Sequence, residues 1–124
     1  MRNLIAGLVL VAAAPLGAHH SFDAEFDANK TATLSGVVTK VDWINPHAYI
    51  FLTAKDAKGE VQSFKIELGP PYALTRGGWK RDSVKIGDAI KVENAAMAKD
   101  GSNYAGATRD TYLFLATGAK MVMR

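Results

Sequence analysis

Residues 61–78 read VQSFKIELGPPYALTRGG, and this stretch decides the fold because it contains a strand, a break and a short helix in succession. In residues 61–68 apolar and polar side chains alternate, which predicts a strand with one buried face. Pro70 and Pro71 end this strand, because proline cannot donate to a ladder and suits the first turn of a helix. We therefore predict a short helix over residues 71–76, with the Gly-Gly pair that follows as its left-handed C-cap.

Further strands are predicted on both sides of this stretch. Two precede it and two follow it, with a small strand at the C-terminus: residues 31–44, 47–54, 89–98, 104–115 and 120–123. In the first of these strands the apolar residues change face, so we expect a bulge or bend at Gly36.

This order of elements predicts the fold class. Three strands, a short helix and two more strands are the order found in the OB-fold, a partly open five-stranded Greek-key barrel. The protein is therefore expected to be mostly all-β, a small OB-fold-like five-stranded barrel with one short helix between strands three and four. An open meander or a small sandwich is the alternative.

The N-terminus has the features of a bacterial secretion signal. Arg2 supplies positive charge, residues 4–14 are apolar, and residues 15–18, PLGA, are a helix-breaking segment of mostly small residues. The apolar run is too short to cross a bilayer, which needs about 20 residues. We expect cleavage after Ala18.

This processing predicts the domain organisation and the location of the protein. Residues 1–18 would be a cleaved secretion signal peptide, residues 19–30 an N-terminal arm and residues 31–124 a single β-barrel domain. Phe22 and Phe26, four residues apart, could dock the arm on that domain. The mature protein is expected to be periplasmic or secreted, with no integral membrane span.

Composition narrows the chemistry that the protein can perform. The chain has no cysteine, which excludes disulfides and thiolate metal sites, so any transition metal must bind nitrogen or oxygen donors. Copper suits such donors best, and zinc is the second choice. The formal net charge is only +3 and the charges are interspersed, so nucleic acid is not an expected partner. No hydrolase motif is present, no catalytic residue is predicted, and we favour a protein that is not an enzyme.

The three histidines are the candidate metal ligands: His19, His20 and His47. Cleavage after Ala18 would make His19 the first residue, so that its α-amine and imidazole could chelate one ion. His47 follows an Asn45-Pro46 turn that presents it at the rim of the barrel. With the arm docked, His19 and His47 could form a three-nitrogen copper site, a histidine brace. His20 could instead supply the third ligand, lie beside the ion, or chelate it through its deprotonated backbone amide.

Five side chains are candidates for a pocket near His47: Trp43, Asn45, Tyr49, Glu67 and Trp79. Trp43 and Tyr49 could form its walls. We expect Trp79 to pack the short helix onto the barrel, and Glu67 to be a solvated strand residue.

Several short motifs together resemble a known family: His19-His20-Ser21-Phe22, Gly36-Val37-Val38, Trp43-x-Asn45-Pro46-His47, Glu67-Leu68-Gly69, Gly78-Trp79-x-Arg81-Asp82 and Gly87-Asp88. They are similar to a family of small exported bacterial proteins of unknown function with an HHSF mature N-terminus and a W-x-N-P-H motif. The resemblance covers nearly all of the mature chain. It implies no activity. It implies only that the His-His and Asn-Pro-His motifs occur together in members of this family.

The sequence therefore predicts an exported, soluble metal-binding protein, a carrier or buffer that binds copper through the processed N-terminal histidine and a rim histidine. The alternative is a metal-free periplasmic binding module for a small molecule or a partner protein, which would use the side of the barrel that carries Trp43, Tyr49 and Phe51. A copper oxidoreductase is the third hypothesis.

Overall fold

The computed structural model describes residues 17–124, with side chains from residue 21 onward. The elements of this part of the chain are α1 (Gly17–Glu25), β1 (Phe26–Asp42), β2 (Tyr49–Lys55), β3 (Val61–Glu67), α2 (Pro71–Arg76), β4 (Ala89–Ala98), β5 (Tyr104–Gly106), β6 (Tyr112–Leu115) and β7 (Lys120–Val122). The first sixteen residues of the predicted signal peptide lie outside the described residues. No helix within residues 17–124 is long and apolar enough to cross a membrane.

Five strands close into a ring. β1 pairs antiparallel with both β2 and β4, β2 pairs with β3, and β4 pairs with β5. A parallel pairing between β3 and β5 completes the ring, while β6 and β7 extend the sheet from β4. The predicted five-stranded barrel is confirmed, and α2 lies between strands three and four with the predicted bounds.

Two strands differ from the prediction by more than two residues at a boundary. β1 begins at Phe26 and not at residue 31, so the segment that follows α1 already pairs with β4. The single strand predicted over residues 104–115 is two strands, because β5 pairs within the ring and β6 pairs with the other part of β4. Thr111 stabilises the turn between them: its buried hydroxyl donates to the carbonyl of Asn94 at 2.7 Å and accepts the amide hydrogen of Thr108 at 2.8 Å.

The predicted change of face in β1 is present, but Gly36 is not its cause. The register between β1 and β2 shifts between Val38 and Lys40, so Val38 is buried before the bulge and Val41 packs against the core after it. Gly36 pairs regularly on both sides of β1, and a Cβ at this position would lie 1.8 Å from the carbonyl oxygen of Thr53. Glycine is therefore required here because β2 approaches the backbone of β1 so closely.

The directions of the strands give the barrel two different ends. Antiparallel pairing puts the β1–β2 loop and the connection that contains α2 at one end, and the β2–β3 and β4–β5 turns at the opposite end. Leu74 on α2, with Trp79 and Val84 after it, belongs to the buried core. These three side chains cover the first end, which we call the closed end. The opposite end, formed by the two turns and the start of β1, is called the open end.

Replacing Gly36 by alanine is expected to lower the free energy of unfolding by about 1–3 kcal/mol, because the new methyl group overlaps a backbone carbonyl that cannot move without opening the β1–β2 ladder. Urea unfolding measures the change. Ser35→Ala, at an exposed position on the same strand, is the control and should alter stability by less than about 0.5 kcal/mol. A Gly36→Ala protein as stable as this control would contradict the proposed close approach.

Candidate functional site

His47 and Glu67 meet where β2 begins and β3 ends. Ala48 and Ile50 are buried in the core, so the alternation along β2 leaves His47 and Tyr49 on the outer face. Tyr49 is the register partner of Glu67, which brings this carboxylate next to the start of β2. The Nδ1 atom of His47 lies 2.8 Å from Oε1 of Glu67, and the two side chains form an ion-pair contact.

Glu67 is held on both of its oxygens. Its Oε2 accepts a hydrogen bond of 2.5 Å from the hydroxyl of Tyr104, on β5. The parallel pairing of β3 with β5 puts Tyr104 opposite Lys65 and Gly106 opposite Glu67, so the tyrosine reaches the carboxylate from the neighbouring strand. The side chain of Glu67 is 15% exposed, and the expectation of a solvated strand glutamate is therefore wrong.

The contact with Glu67 determines how His47 can react. When Nδ1 donates its hydrogen to the carboxylate, the lone pair of the neutral imidazole is on Nε2. The side chain is 37% exposed, so solutes can reach the ring. Carboxylate–histidine pairs of this kind orient histidine ligands at metal sites and raise their basicity. The contact with Glu67 therefore limits the rotation of the His47 ring.

Two tyrosines beside Glu67 are held in the neutral form. Burial raises the pKa of Tyr104 well above its usual range, and the hydrogen bond to Glu67 and the charge of that carboxylate act in the same direction. The pKa of Tyr49 is also raised, by burial and then by the charge of Glu67, while a hydrogen bond with Tyr104 lowers it. Both hydroxyl groups consequently ionise at higher pH than a tyrosine with the ordinary pKa.

Lys65 adds a positive charge to the same outer face. Its ammonium nitrogen lies 4.3 Å from the ring centre of Tyr49, 5.0 Å from that of Tyr104 and 5.8 Å from that of Phe51. These distances are typical of cation–π interactions. The outer face of β2, β3 and β5 thus has three aromatic rings around one lysine, next to the pair of His47 and Glu67.

The N-terminal arm docks beside this network through its two phenylalanines, as their spacing predicts. The ring of Phe26 lies 4.8 Å from the ring of Tyr104 and 4.8 Å from that of Phe22, measured between centroids. Gly106 makes room for both, because a Cβ there would lie 2.6 Å from Phe22 and 2.7 Å from Phe26. The guanidinium of Arg124 covers Phe22 at 4.6 Å. Helix α1 is therefore attached to the barrel at the strand that carries Tyr104.

The other sequence candidates lie in different surroundings. Trp79 is buried, its indole N–H donates to the carbonyl of Val122 at 2.6 Å, and its ring centre is 6.3 Å from that of the half-buried Trp43. Asn45 is exposed in the loop before His47. Trp79 thus packs the chain after α2 onto the core, and of the five pocket candidates Tyr49 and Glu67 are the ones that join the network around His47.

The two remaining histidine candidates belong to α1. The helix includes positions 19 and 20, whose side chains lie outside the described residues. Among the side chains from residue 21 onward, no group of three or more His, Cys, Asp or Glu is arranged to hold a metal ion.

Tyr104 and Lys65 are the members of the network that sequence reasoning missed. Lys65 could have been found, because the alternation along β3 puts it on the same face as Glu67. No local signal links Tyr104 to Glu67, since their contact depends on a parallel pairing between strands that are distant in sequence.

Comparison with known sequences gives the family of the chain. The model of a family described as a family of unknown function, DUF6152, matches residues 7–107. The chain belongs to this family. The matched range contains all three histidines together with Glu67 and Tyr104. No curated protein and no solved structure matches the chain.

A pH titration followed by tyrosinate absorbance should detect the raised pKa values of the tyrosines in this network. Tyr49 and Tyr104 should ionise above the ordinary pKa of a tyrosine, which is about 10. Because their pKa values are raised in the folded state, their contribution to stability is present below about pH 10 and is lost as the pH rises further.

The variant Glu67→Gln should lower the pKa of Tyr104, because it removes the negative charge beside the hydroxyl. Glu60→Gln, at an exposed position on the β2–β3 turn, is the control and should leave the titration unchanged. Identical titration curves for Glu67→Gln and the wild type would show that the carboxylate does not act on Tyr104.

Proposed function

We propose that this protein is exported, is cleaved before His19, and binds a copper ion through the α-amine and imidazole of His19 together with the imidazole of His47. The protein acts as a copper carrier or buffer outside the cytoplasm. His20 lies beside the ion or supplies an alternative imidazole. Copper is favoured over zinc because it leads the stability order at nitrogen sites, and the chain has no cysteine to favour a softer thiolate site.

The contact between His47 and Glu67 is the observation that carries this proposal. The imidazole is oriented by a carboxylate at 2.8 Å, and that carboxylate is itself held by Tyr104 at 2.5 Å. A histidine whose Nδ1 is used in this way has lost much of its rotational freedom before any ion binds. The lone pair of its Nε2 remains available to bind a metal ion.

The docking of the arm supports the participation of the N-terminus. From Phe22 the contacts run through Phe26 to Tyr104, then from its hydroxyl to Glu67, and from Glu67 to His47. Positions three apart on a helix share a face, and position 19 is three residues before Phe22 on α1. The backbone at position 19 therefore belongs to the face of α1 that docks on the barrel.

The ligands in this site set its pH dependence. An imidazole and an α-amine bind a metal ion only in their deprotonated forms, and the ordinary pKa values of these two groups are about 6.5 and 8. Copper affinity should therefore fall as the pH is lowered through this interval.

The first test compares the protein that begins at His19 with a protein that retains one residue before it. The additional residue converts the α-amine of His19 into an amide, so Cu(II) affinity measured by competition titration should fall on the order of 100-fold. His47→Ala should cause a similar loss, while Ile44→Ala, at an exposed position on the same loop, should not. Equal affinity of the two N-terminal forms would exclude the amine ligand, and unchanged affinity of His47→Ala would reduce the site to a free N-terminus.

The second test removes the support of His47 and keeps the imidazole. Glu67→Gln should weaken copper binding about 10- to 100-fold, the range found when a carboxylate that orients a histidine ligand is lost. Glu60→Gln should bind copper like the wild type. If Glu67→Gln also binds like the wild type, the carboxylate has no part in preparing the ligand.

A metal-free binding module is the second candidate function, and the three rings around Lys65 favour it. Such a face offers aromatic surface and one cation to a small molecule or a partner protein. A ligand of this module would bind to chelator-treated protein and to His47→Ala with undiminished affinity. A copper-dependent ligand would bind to neither of them. Reductant-dependent oxygen consumption by the copper-loaded protein would instead indicate an oxidoreductase.

A further inference from the structure

We propose that the open end of the barrel is a binding site for a small amphipathic anion, a molecule with an apolar body and one negatively charged head group. This site is separate from the network around His47, and the proposal does not rest on copper binding. Its evidence is a cavity, an apolar floor and a cationic rim.

The cavity lies between the start of β1, the β2–β3 turn and the β4–β5 turn. Its volume is about 590 Å³, within the range of about 300 to 1,000 Å³ that is usual for small-molecule sites. Leu74, Trp79 and Val84 cover the closed end of the barrel, so the cavity lies at the end that these side chains leave uncovered.

The floor of this cavity is apolar. Five side chains form it: Ala32, Leu34, Phe64, Met97 and Ala98. Leu34 and Phe64 are members of the buried core of the barrel, and Met97 packs against that core. An alkyl or aromatic group that enters the cavity therefore removes apolar surface from water on both sides of the contact, which is favourable at about 25 cal/mol per Å².

The rim of the cavity is positively charged. Lys30, Lys55 and Lys99 line it, and Asp56 is the one acidic residue among the lining side chains. Asp56 is engaged in the β2–β3 turn, where its Oδ1 accepts the backbone amides of Lys58 and Glu60 at 2.9 Å each. The rim thus has an excess of positive charge that its own aspartate does not neutralise.

The three lysines differ in how freely they can bind a ligand. The ammonium group of Lys99 donates to the backbone carbonyl of Asp23, in α1. Lys30 and Lys55 are exposed, and within residues 21–124 neither takes part in an ion pair. Two exposed ammonium groups above an apolar floor complement an anionic head group on an apolar body.

The test uses metal-free protein, sodium octanoate as the probe, and amide chemical shifts measured by NMR during a titration. Octanoate should shift the amide signals of the lining residues Thr33, Phe64, Met97 and Ser102, and leave those around His47 unchanged. The neutral analogue 1-octanol has the same chain without the charge, so it should bind about tenfold more weakly.

Variants separate the rim from general surface charge. The double variant Lys30→Met and Lys55→Met keeps most of the apolar stem of both side chains and removes both charges, so octanoate affinity should fall about tenfold and approach that of 1-octanol. Lys58→Met is the control, because Lys58 lies on the β2–β3 turn near Lys55 and does not line the cavity. It should bind octanoate like the wild type.

Three results would overturn the proposal. Octanoate shifts located elsewhere on the surface would exclude the cavity, and equal affinity for octanoate and 1-octanol would exclude the cationic rim. Equal losses in Lys58→Met and in the double variant would show a non-specific charge effect. His47→Ala should retain octanoate binding, so failure of the copper proposal and failure of this one can be told apart.

Discussion

The structure depends on the double pairing of β1. This strand of seventeen residues forms ladders with β2 on one side and β4 on the other, and these are two of the five pairings that form the ring. The register shift between Val38 and Lys40 bends this strand, and such bends let a sheet curl until it closes. It must also let β2 approach at Gly36, where the carbonyl of Thr53 occupies the space that a side chain would need.

Closure of the ring creates the network around His47. The ring forces β3 and β5 into parallel contact, and this contact brings Tyr104 to Glu67. The β2–β3 hairpin brings the same carboxylate to His47. One glutamate therefore links a loop, a hairpin strand and a strand that is distant in sequence. Its burial has a further effect, because a charge that is poorly hydrated acts strongly on its neighbours and contributes to the raised pKa of Tyr104.

The two ends of the barrel offer different chemistry because the connections differ in length. The long connection between β3 and β4 contains α2 and supplies apolar side chains that cover one end, beside the loop that carries His47. The opposite end has only two short turns, which are too small to cover the core and leave a cavity with lysines at its rim. The arm contacts both the network around His47 and the rim of the cavity, since Phe26 packs on Tyr104 and Lys99 donates to the backbone of α1.

The sequence by itself determined the elements whose signals are local. Alternation along β3 predicted that strand to within one residue, Pro70 and Pro71 predicted the start of α2, and the bounds of β4 were predicted although Asn94 within it has a positive φ. The element order was sufficient for the barrel. Tertiary structure alone decided the break between β5 and β6, the role of Gly36 and the burial of Glu67. Each of these depends on a strand that packs from elsewhere in the chain: β5 and β6 pair with different parts of β4, β2 excludes a side chain at Gly36, and β5 covers Glu67. Periodicity reports which face of a strand is apolar, but not which neighbour will cover the other face.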